Sequence, residues 1–358
     1  MNKNALVIAG LTLMSTSAFA SKARVEALGN NAIYYLSDKR EVFLNPAAIN
    51  ANKNYIVAEL GHSNVAEDTI EKPRAEGGFF REVGSLSYGL YLGNNENSED
   101  RVKATATPKT FLSQDNAIDL FFGGDAGVQW GARLHYANAK DETTNAAEKR
   151  TNSAFGFGLG AIVGAAEVYT NVSISDKSEG DGTAANNVVK YKPSFSVGAS
   201  YDWAGNTFFA EFGSAKAEIT NTGVTSEAKA TNILAGVGRQ LEINSTSRAF
   251  GNVAFNMNKE EDGDKDTETT IPVAIGFEAD ATSWLTLRGS IGQNFVLNDK
   301  KVETAGTTTK STNANTTEVN AGLSVNVGKM NIDGSIGQIT GSNNSDRLIS
   351  RVGVVYNF

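Results

Sequence analysis

Few residues in this chain have the types and spacing that chemistry requires. His135 is one of only two histidines, and Asp119 and Arg133 fall on neighbouring registers, so it is the best candidate base. A base acts on a nucleophile within hydrogen-bond reach and needs a third group to orient it. Neither G-x-S-x-G nor H-E-x-x-H occurs to supply that arrangement, and no catalytic residue is assigned. Absent cysteine removes thiolate chemistry and disulfides, and two histidines leave little for zinc. The densest carboxylates are Asp262, Asp264, Asp266 and Glu268, beside Glu260 and Glu261. Their spacing fails the EF-hand pattern, because the glycine stands at Gly263 and the twelfth position would be Val273. They read as a solvated acidic loop, bridged at most by divalent ions to anionic surface lipid; no metal site and no cofactor is expected.

The elements that would position such residues start after residue 20. Lys3, the apolar run Ala5 to Met14 and Ala18-Phe19-Ala20 have the layout of an export signal cleaved after Ala20. Removing Lys3 takes the formal net charge from −8 to −9. No stretch approaches the roughly 20 apolar residues of a spanning helix. The acidic balance, without a basic stripe, argues against nucleic-acid binding.

Beyond about residue 54 the pattern has period 2. Val128, Trp130, Ala132, Leu134 and Tyr136 alternate with Gln129, Gly131, Arg133, His135 and Ala137. The stretches from Tyr191 to Asp202 and from Glu318 to Val327 repeat the scheme. Such runs are longer than ordinary soluble strands and close to the length of a tilted membrane-crossing strand. About sixteen strands are predicted, near Tyr55, Arg74, Leu86, Asn116, Gly127, Ser153, Ala165, Tyr191, Thr207, Thr231, Arg248, Ile271, Leu285, Thr317, Met330 and Arg347; fourteen or eighteen would survive a small boundary error. Short turns, such as 123–126, 203–206 and 328–329, alternate with polar loops at 94–115, 138–152, 175–190, 258–270 and 297–316. That rhythm suits an all-β, antiparallel up-and-down transmembrane barrel with both termini on one rim.

In hydrocarbon every backbone group must be paired, so strands span only as a closed cylinder with the apolar face outward. The inward candidates, which would line a pore, are Arg133, His135, Glu167, Glu211, Glu278, Arg288, Glu318, Asp333 and Arg351, with Asp202 and Arg347 nearby. Opposed charges of both signs would set a transverse field at a constriction. Gly156, Gly158 and Gly160 face inward too, leaving room for something in the lumen or relieving curvature. Trp203, Trp284, Tyr201, Tyr356 and Phe358 would suit interfacial girdles. The ending Val352, Val354, Tyr356, Phe358 resembles the C-terminal signal read by the barrel-insertion machinery, with Tyr356 and Phe358 its carriers.

Residues 21–54 break the alternation with Arg24-Val25-Glu26-Ala27-Leu28-Gly29, then Asp38, then Asn45-Pro46-Ala47-Ala48-Ile49. Over about thirty residues this resembles the start of proteins related to the long-chain fatty acid transporter family. The resemblance implies an N-terminal plug, with Arg24, Gly29, Asp38, Asn45 and Pro46 its marker residues, inside a barrel usually of fourteen strands. Taken whole, the chain resembles porin-like major outer-membrane proteins of Gram-negative bacteria. Packing Ile33 to Leu36 and Val42 to Leu44 against an inner wall would hide a costly apolar cluster. An extra strand pair or a periplasmic tail remain open readings. The chain is thus expected to divide into a signal at 1–20, a plug-like segment at 21–54 and a barrel at 55–358, seated in the outer membrane among lipid and lipopolysaccharide. Passive passage of small hydrophilic solutes is the leading expectation, and homo-oligomers are compatible with it. A gated carrier of hydrophobic molecules, a structural or adhesive surface barrel and a soluble secreted β-protein are the rivals.

Overall fold

The computed structural model describes residues 21–29, 31–61, 74–94, 116–142, 149–179, 188–221, 224–262, 264–297, 300–304, 307–311, 316–340 and 351–358. The segments are β1 (Tyr55–Gly61), β2 (Arg74–Val83), β3 (Leu86–Leu92), β4 (Ala117–Asp125), β5 (Gln129–Glu142), β6 (Lys149–Val163) and β7 (Ala166–Glu179). They continue as β8 (Val188–Tyr191), β9 (Ser194–Trp203), β10 (Asn206–Asn221), β11 (Val224–Asn244), β12 (Ser247–Asp262) and β13 (Asp264–Asp280). The remainder are β14 (Leu285–Val296), β15 (Lys300–Thr304), β16 (Thr307–Ser311), β17 (Thr316–Val327), β18 (Met330–Thr340) and β19 (Arg351–Asn357).

These segments build a closed antiparallel barrel of sixteen strands. β8 and β9 both lie between β7 and β10 and are one strand interrupted at Lys192-Pro193, where proline has no N–H to give the ladder. Within the loop expected at 297–316, β15 pairs with β13 beyond the point where β14 leaves off and β16 pairs with β15, so this hairpin prolongs the β14–β17 pair and adds no strand to the ring. The ring closes where Tyr55 faces Asn357 and Gly61 faces Arg351. Turns on the rim that holds both barrel ends are short, and Gly84, Gly164, Gly205 and Gly328 take positive φ there, a conformation that favours glycine.

Several boundaries differ from the sequence reading. β11 starts at Val224 instead of Thr231, β13 at Asp264 instead of Ile271, and β6 at Lys149 instead of Ser153. The expected acidic loop at 258–270 is the end of a hairpin, with Asn258 opposite Glu268 and Glu260 opposite Asp266. The loops at 138–152 and 175–190 are likewise shortened by strands that run on to Glu142 and Glu179. In these extensions both faces are polar, so the hydrophobic alternation that reveals a strand is missing although backbone pairing continues. His62, Arg347, Pro108 and the signal at 1–20 lie outside the described residues.

Polarity is inverted relative to a soluble protein. Along β5, Trp130 is 41% exposed and Leu134 44% on the outer face, while Arg133 is 2% exposed on the inner one. The inner face also holds a repeated pairing of ring and glycine across neighbouring strands. Tyr169 packs over Gly198, Phe209 over Gly236, Phe250 over Gly276 and Tyr91 over Gly78. Without a Cβ in the way, each ring lies close to the sheet, an arrangement of the kind used to rescue glycine in strands.

Against this wall lies the chain from Ser21 to Asn52, as α1 (Lys22–Ala27), a 3-10 turn at Asn31–Tyr34, α2 (Glu41–Leu44) and a second 3-10 turn at Pro46–Asn50. Its side chains reach inward residues all round the ring. Ala27 sits at Gly322 of β17, Tyr35 at Gly238 of β11, Pro46 at Gly131 of β5 and Ser21 at Gly353 of β19. Only a segment within the lumen meets all of these at once.

Gly198→Val would force the Tyr169 ring off the wall, and overpacking of this kind costs about 1–3 kcal/mol. The urea midpoint of the purified barrel, followed by heat-dependent gel mobility, is expected to fall accordingly.

Candidate functional site

The lumen and the segment inside it are joined by buried charge. α1 is a single turn and a half, and it carries Arg24 towards β13. The Arg24 guanidinium, 4% exposed, donates from Nε to Glu278 Oε2 at 2.9 Å and from Nη1 to Asp38 Oδ2 at 2.8 Å. Glu278 also accepts from Arg288 Nε at 2.5 Å and lies 3.1 Å from Arg248 Nη2. Arg288 continues to Asp333 at 3.2 Å, and Ser21 Oγ donates to the other Asp333 oxygen at 3.0 Å. Burial alone would lower the Arg24 pKa, but Glu278 and Asp38 hold it above its ordinary value, so the charge is fixed.

A second cluster binds the start of the segment to β1, β2 and β19. Lys22 pairs with Glu76, its backbone N–H donates to Glu59, and Tyr91 Oη donates to Glu59 at 2.6 Å. Arg40 lies 3.6 Å from Glu59 and its guanidinium covers the Phe43 ring at 3.8 Å. Arg351 lies 3.3 Å from Glu26 and 4.0 Å from Glu76. Burial lowers Lys22 to about 8 and Lys39 to about 7; Lys39 Nζ donates to Asn357 Oδ1 at 2.6 Å and sits 3.9 Å over the Tyr55 ring.

Glycine shapes the third contact. The turn at Pro46–Asn50 is capped by Asn45, whose Oδ1 accepts from the Ala47 N–H at 3.1 Å and whose Nδ2 donates to Glu167 at 3.0 Å. It rests on Gly123, Gly131, Gly158 and Gly160, and a Cβ at Gly131 would lie within the Pro46–Ala47 peptide. Next to it, Asp119 Oδ1 accepts from Arg133 at 2.6 Å and faces His135 Nδ1 at 2.8 Å. Burial pushes the Glu41 carboxyl well above its ordinary value, and Glu167 beside it pushes further.

Of the residues singled out as pore-lining, Glu167, Glu278, Asp333 and Arg351 bond the segment directly, and Arg288 is joined to it through Glu278. Glu211 accepts from Tyr169 Oη at 2.9 Å, just above the stack of Tyr34 on Phe209 at 4.9 Å. Glu318 accepts from Asn320 at 3.0 Å. Among the plug residues, Gly29 has φ +87 and packs at Ser290. Tyr356 and Phe358 stand on the outer face, with the Phe358 N–H donating to Asn54 at 3.1 Å. Sequence reading missed Glu59, Glu76, Lys22, Arg40 and Arg248. Glu59 sits in the alternation Tyr55, Val57, Glu59, which would have flagged it had β1 been weighted more.

Among the described residues, two cavities have linings that include none of residues 21–52. One, of about 390 Å³, lies towards the rim of long strands between β9 and β12 and includes Ser196, Glu211, Asn232 and Asn258. The other, of about 650 Å³, opens among the short turns and includes Asp280, Thr286, Arg288, Asn326 and Asn331.

No protein-family model and no curated protein sequence matches the chain. Among solved structures it is similar to a monoaromatic hydrocarbon channel, CymD, at 10% identity over 93% of this chain and 96% of that one, with a TM-score of 0.44. A porin matches at 13% identity over 86% and 99%, and OmpT of Vibrio cholerae at 11% over 85% and 97%, both with a TM-score of 0.39. At these values the likenesses carry no argument about activity, and the barrel rests on its own strand pairing.

Arg24→Met leaves Asp38 without its guanidinium, while Arg288 and Arg248 still cover Glu278; the expected cost is on the order of 3 kcal/mol, the lower end for breaking a buried pair. Limited proteolysis should then cut the segment while the barrel band keeps its heat-dependent mobility. Glu41 has a raised pKa when the segment is docked, so it favours docking at pH below its ordinary value of about 4.5 and loses that contribution as pH rises through the raised value. Lys39 and Lys22 act in the opposite sense, favouring docking increasingly above about 7 and 8. Glu41→Gln isolates the first effect. Relative to the native chain it should protect the segment from protease, by a margin that is small at pH 4 and grows towards pH 9.

Proposed function

We propose that the chain is an outer-membrane channel for small hydrophilic solutes, held narrow by its own residues 21–52. The observation that carries this reading is the opposed polarity of the two barrel faces. An exposed apolar belt is a hazard in water, and a closed barrel is the one sheet architecture that lets such a belt meet hydrocarbon. The interior carries charges, amides and two polar cavities, which suits wet solutes more than apolar ones. On β1, β2 and β4 the inward apolar residues are covered by the segment, as when Val42 and Ile49 pack with Tyr55, Phe80 and Phe121, while a second inward cluster around Val189, Tyr191 and Ile219 packs on itself near the long-strand rim. Export with removal of residues 1–20 and insertion through the Tyr356 and Phe358 ending belong to the same reading.

In operation the segment sets the resistance. Arg24, Lys22 and Arg40 neutralise the wall carboxylates Glu278, Glu76 and Glu59, and the turn at Pro46–Asn50 fills the cross-section over the glycine shelf. Solute would pass between the two cavities when these contacts loosen.

The mature protein in planar lipid bilayers is expected to give small stepwise currents. Gly131→Ala, which pushes the turn off its shelf, should raise the unit conductance at least two-fold with the barrel still folded. A folded native barrel and a folded Gly131→Ala variant that both stay silent at all voltages would contradict the reading.

A further inference from the structure

The cavity near the long-strand rim has none of residues 21–52 in its lining. Elsewhere the wall is charged and engaged by residues 21–52. Here amides and hydroxyls from Asn232, Asn258 and Ser196 stand beside the charged Glu211, Lys259 and Glu260. Asn232 Nδ2 donates to Asn256 Oδ1 at 2.8 Å and to Asn258 Oδ1 at 2.5 Å. Spending one amide group on two carbonyls leaves the Nδ2 groups of Asn256 and Asn258 to donate elsewhere.

Buried polar groups near it, on β9, β12 and β13 but outside the lining itself, point the same way. Thr270, directly opposite Asn256 and 3% exposed, has an Oγ1 with no partner. Ser194, one inward position from Ser196 and 2% exposed, has an unpaired Oγ. Farther along β12, both amide atoms of Asn252 are unpaired at 4% exposure. Buried polar atoms are almost always satisfied, so a row of unsatisfied ones marks a place where something else supplies the bonds.

We infer that this wall is a binding subsite for uncharged polyhydroxylated solutes of saccharide size. Such a solute presents hydroxyls that both donate and accept, matching amides and side-chain hydroxyls without an ion to desolvate. The Glu211 carboxylate accepts from hydroxyls and repels anions, and about 390 Å³ lies within the range of small-molecule sites. The subsite names the solute class of the proposed channel and rests on that reading only for how the solute arrives.

Sucrose is the probe. Saturation-transfer NMR of the mature, detergent-folded protein should show a sucrose signal that saturates, and Thr270→Val and Asn232→Leu/Asn258→Leu should each weaken it at least ten-fold. Heat-dependent gel mobility verifies that the variants fold, and bilayer conductance of the native chain is recorded in parallel. Conductance without a saturable sucrose signal, or a signal that persists in both folded variants, overturns the inference and leaves the channel reading standing. A saturable signal lost in the variants, from a protein that never conducts, supports the subsite and contradicts the channel.

Discussion

A ring of sixteen strands is too wide for its own side chains to fill, whereas about eight strands can be packed shut in that way. Everything inside this barrel follows from that constraint. The inner face cannot form a dry core by itself, so its residues must be covered by water or by another piece of chain. Residues 21–52 meet the need over much of the wall, and they do so with partners that match it: guanidinium to carboxylate at Arg24 and Glu278, peptide to glycine at Pro46 and Gly131, ring to ring at Tyr34 and Phe209.

The strength of these contacts differs in kind. The Arg24 cluster is buried and hydrogen-bonded at both ends, so losing one partner strands a charge. The glycine shelf is steric and nearly neutral energetically until a side chain is added. The Glu41 and Glu167 pair opposes docking once ionised. A strong joint, a fitted seat and a repulsive contact on one short segment make it dockable without being permanently fixed. The two cavities have linings free of residues 21–52, and near one of them, on β9 and β13, the hydroxyls of Ser194 and Thr270 are buried and unpaired.

Much of the barrel was legible because lipid-facing and lumen-facing residues must alternate. Trp130 and Leu134 outside with Arg133 and His135 inside is a pattern that period 2 reveals directly. The hairpin ends were not legible for the converse reason: from Asn258 to Glu268 both faces are polar, and no alternation remains to read. In the lumen, residue type was readable while pairing was not. Arg24, Asp38 and Glu278 were each singled out from sequence, yet their meeting depends on closing the ring and folding residue 24 back across it, a long-range fact with no local signature. Glu76 was missed because β2 is rich in charge and glycine, which weakens the strand signal around it, and Lys22 because it lies in α1, outside any alternation.

The chain has no cysteine, so an introduced pair reports on one contact alone. A Cβ on Gly29 of the segment would stand 3.8 Å from the Ser290 Cβ of β14, a disulfide spacing, so Gly29→Cys with Ser290→Cys would tie the segment to the wall. The disulfide should form readily in the folded protein, the oxidised form should conduct least, and reduction in the same bilayer should restore larger currents. Failure of the pair to cross-link in a folded barrel, or cross-linking that leaves the current unchanged, would contradict the claim that residues 21–52 lie in the lumen and limit passage through it.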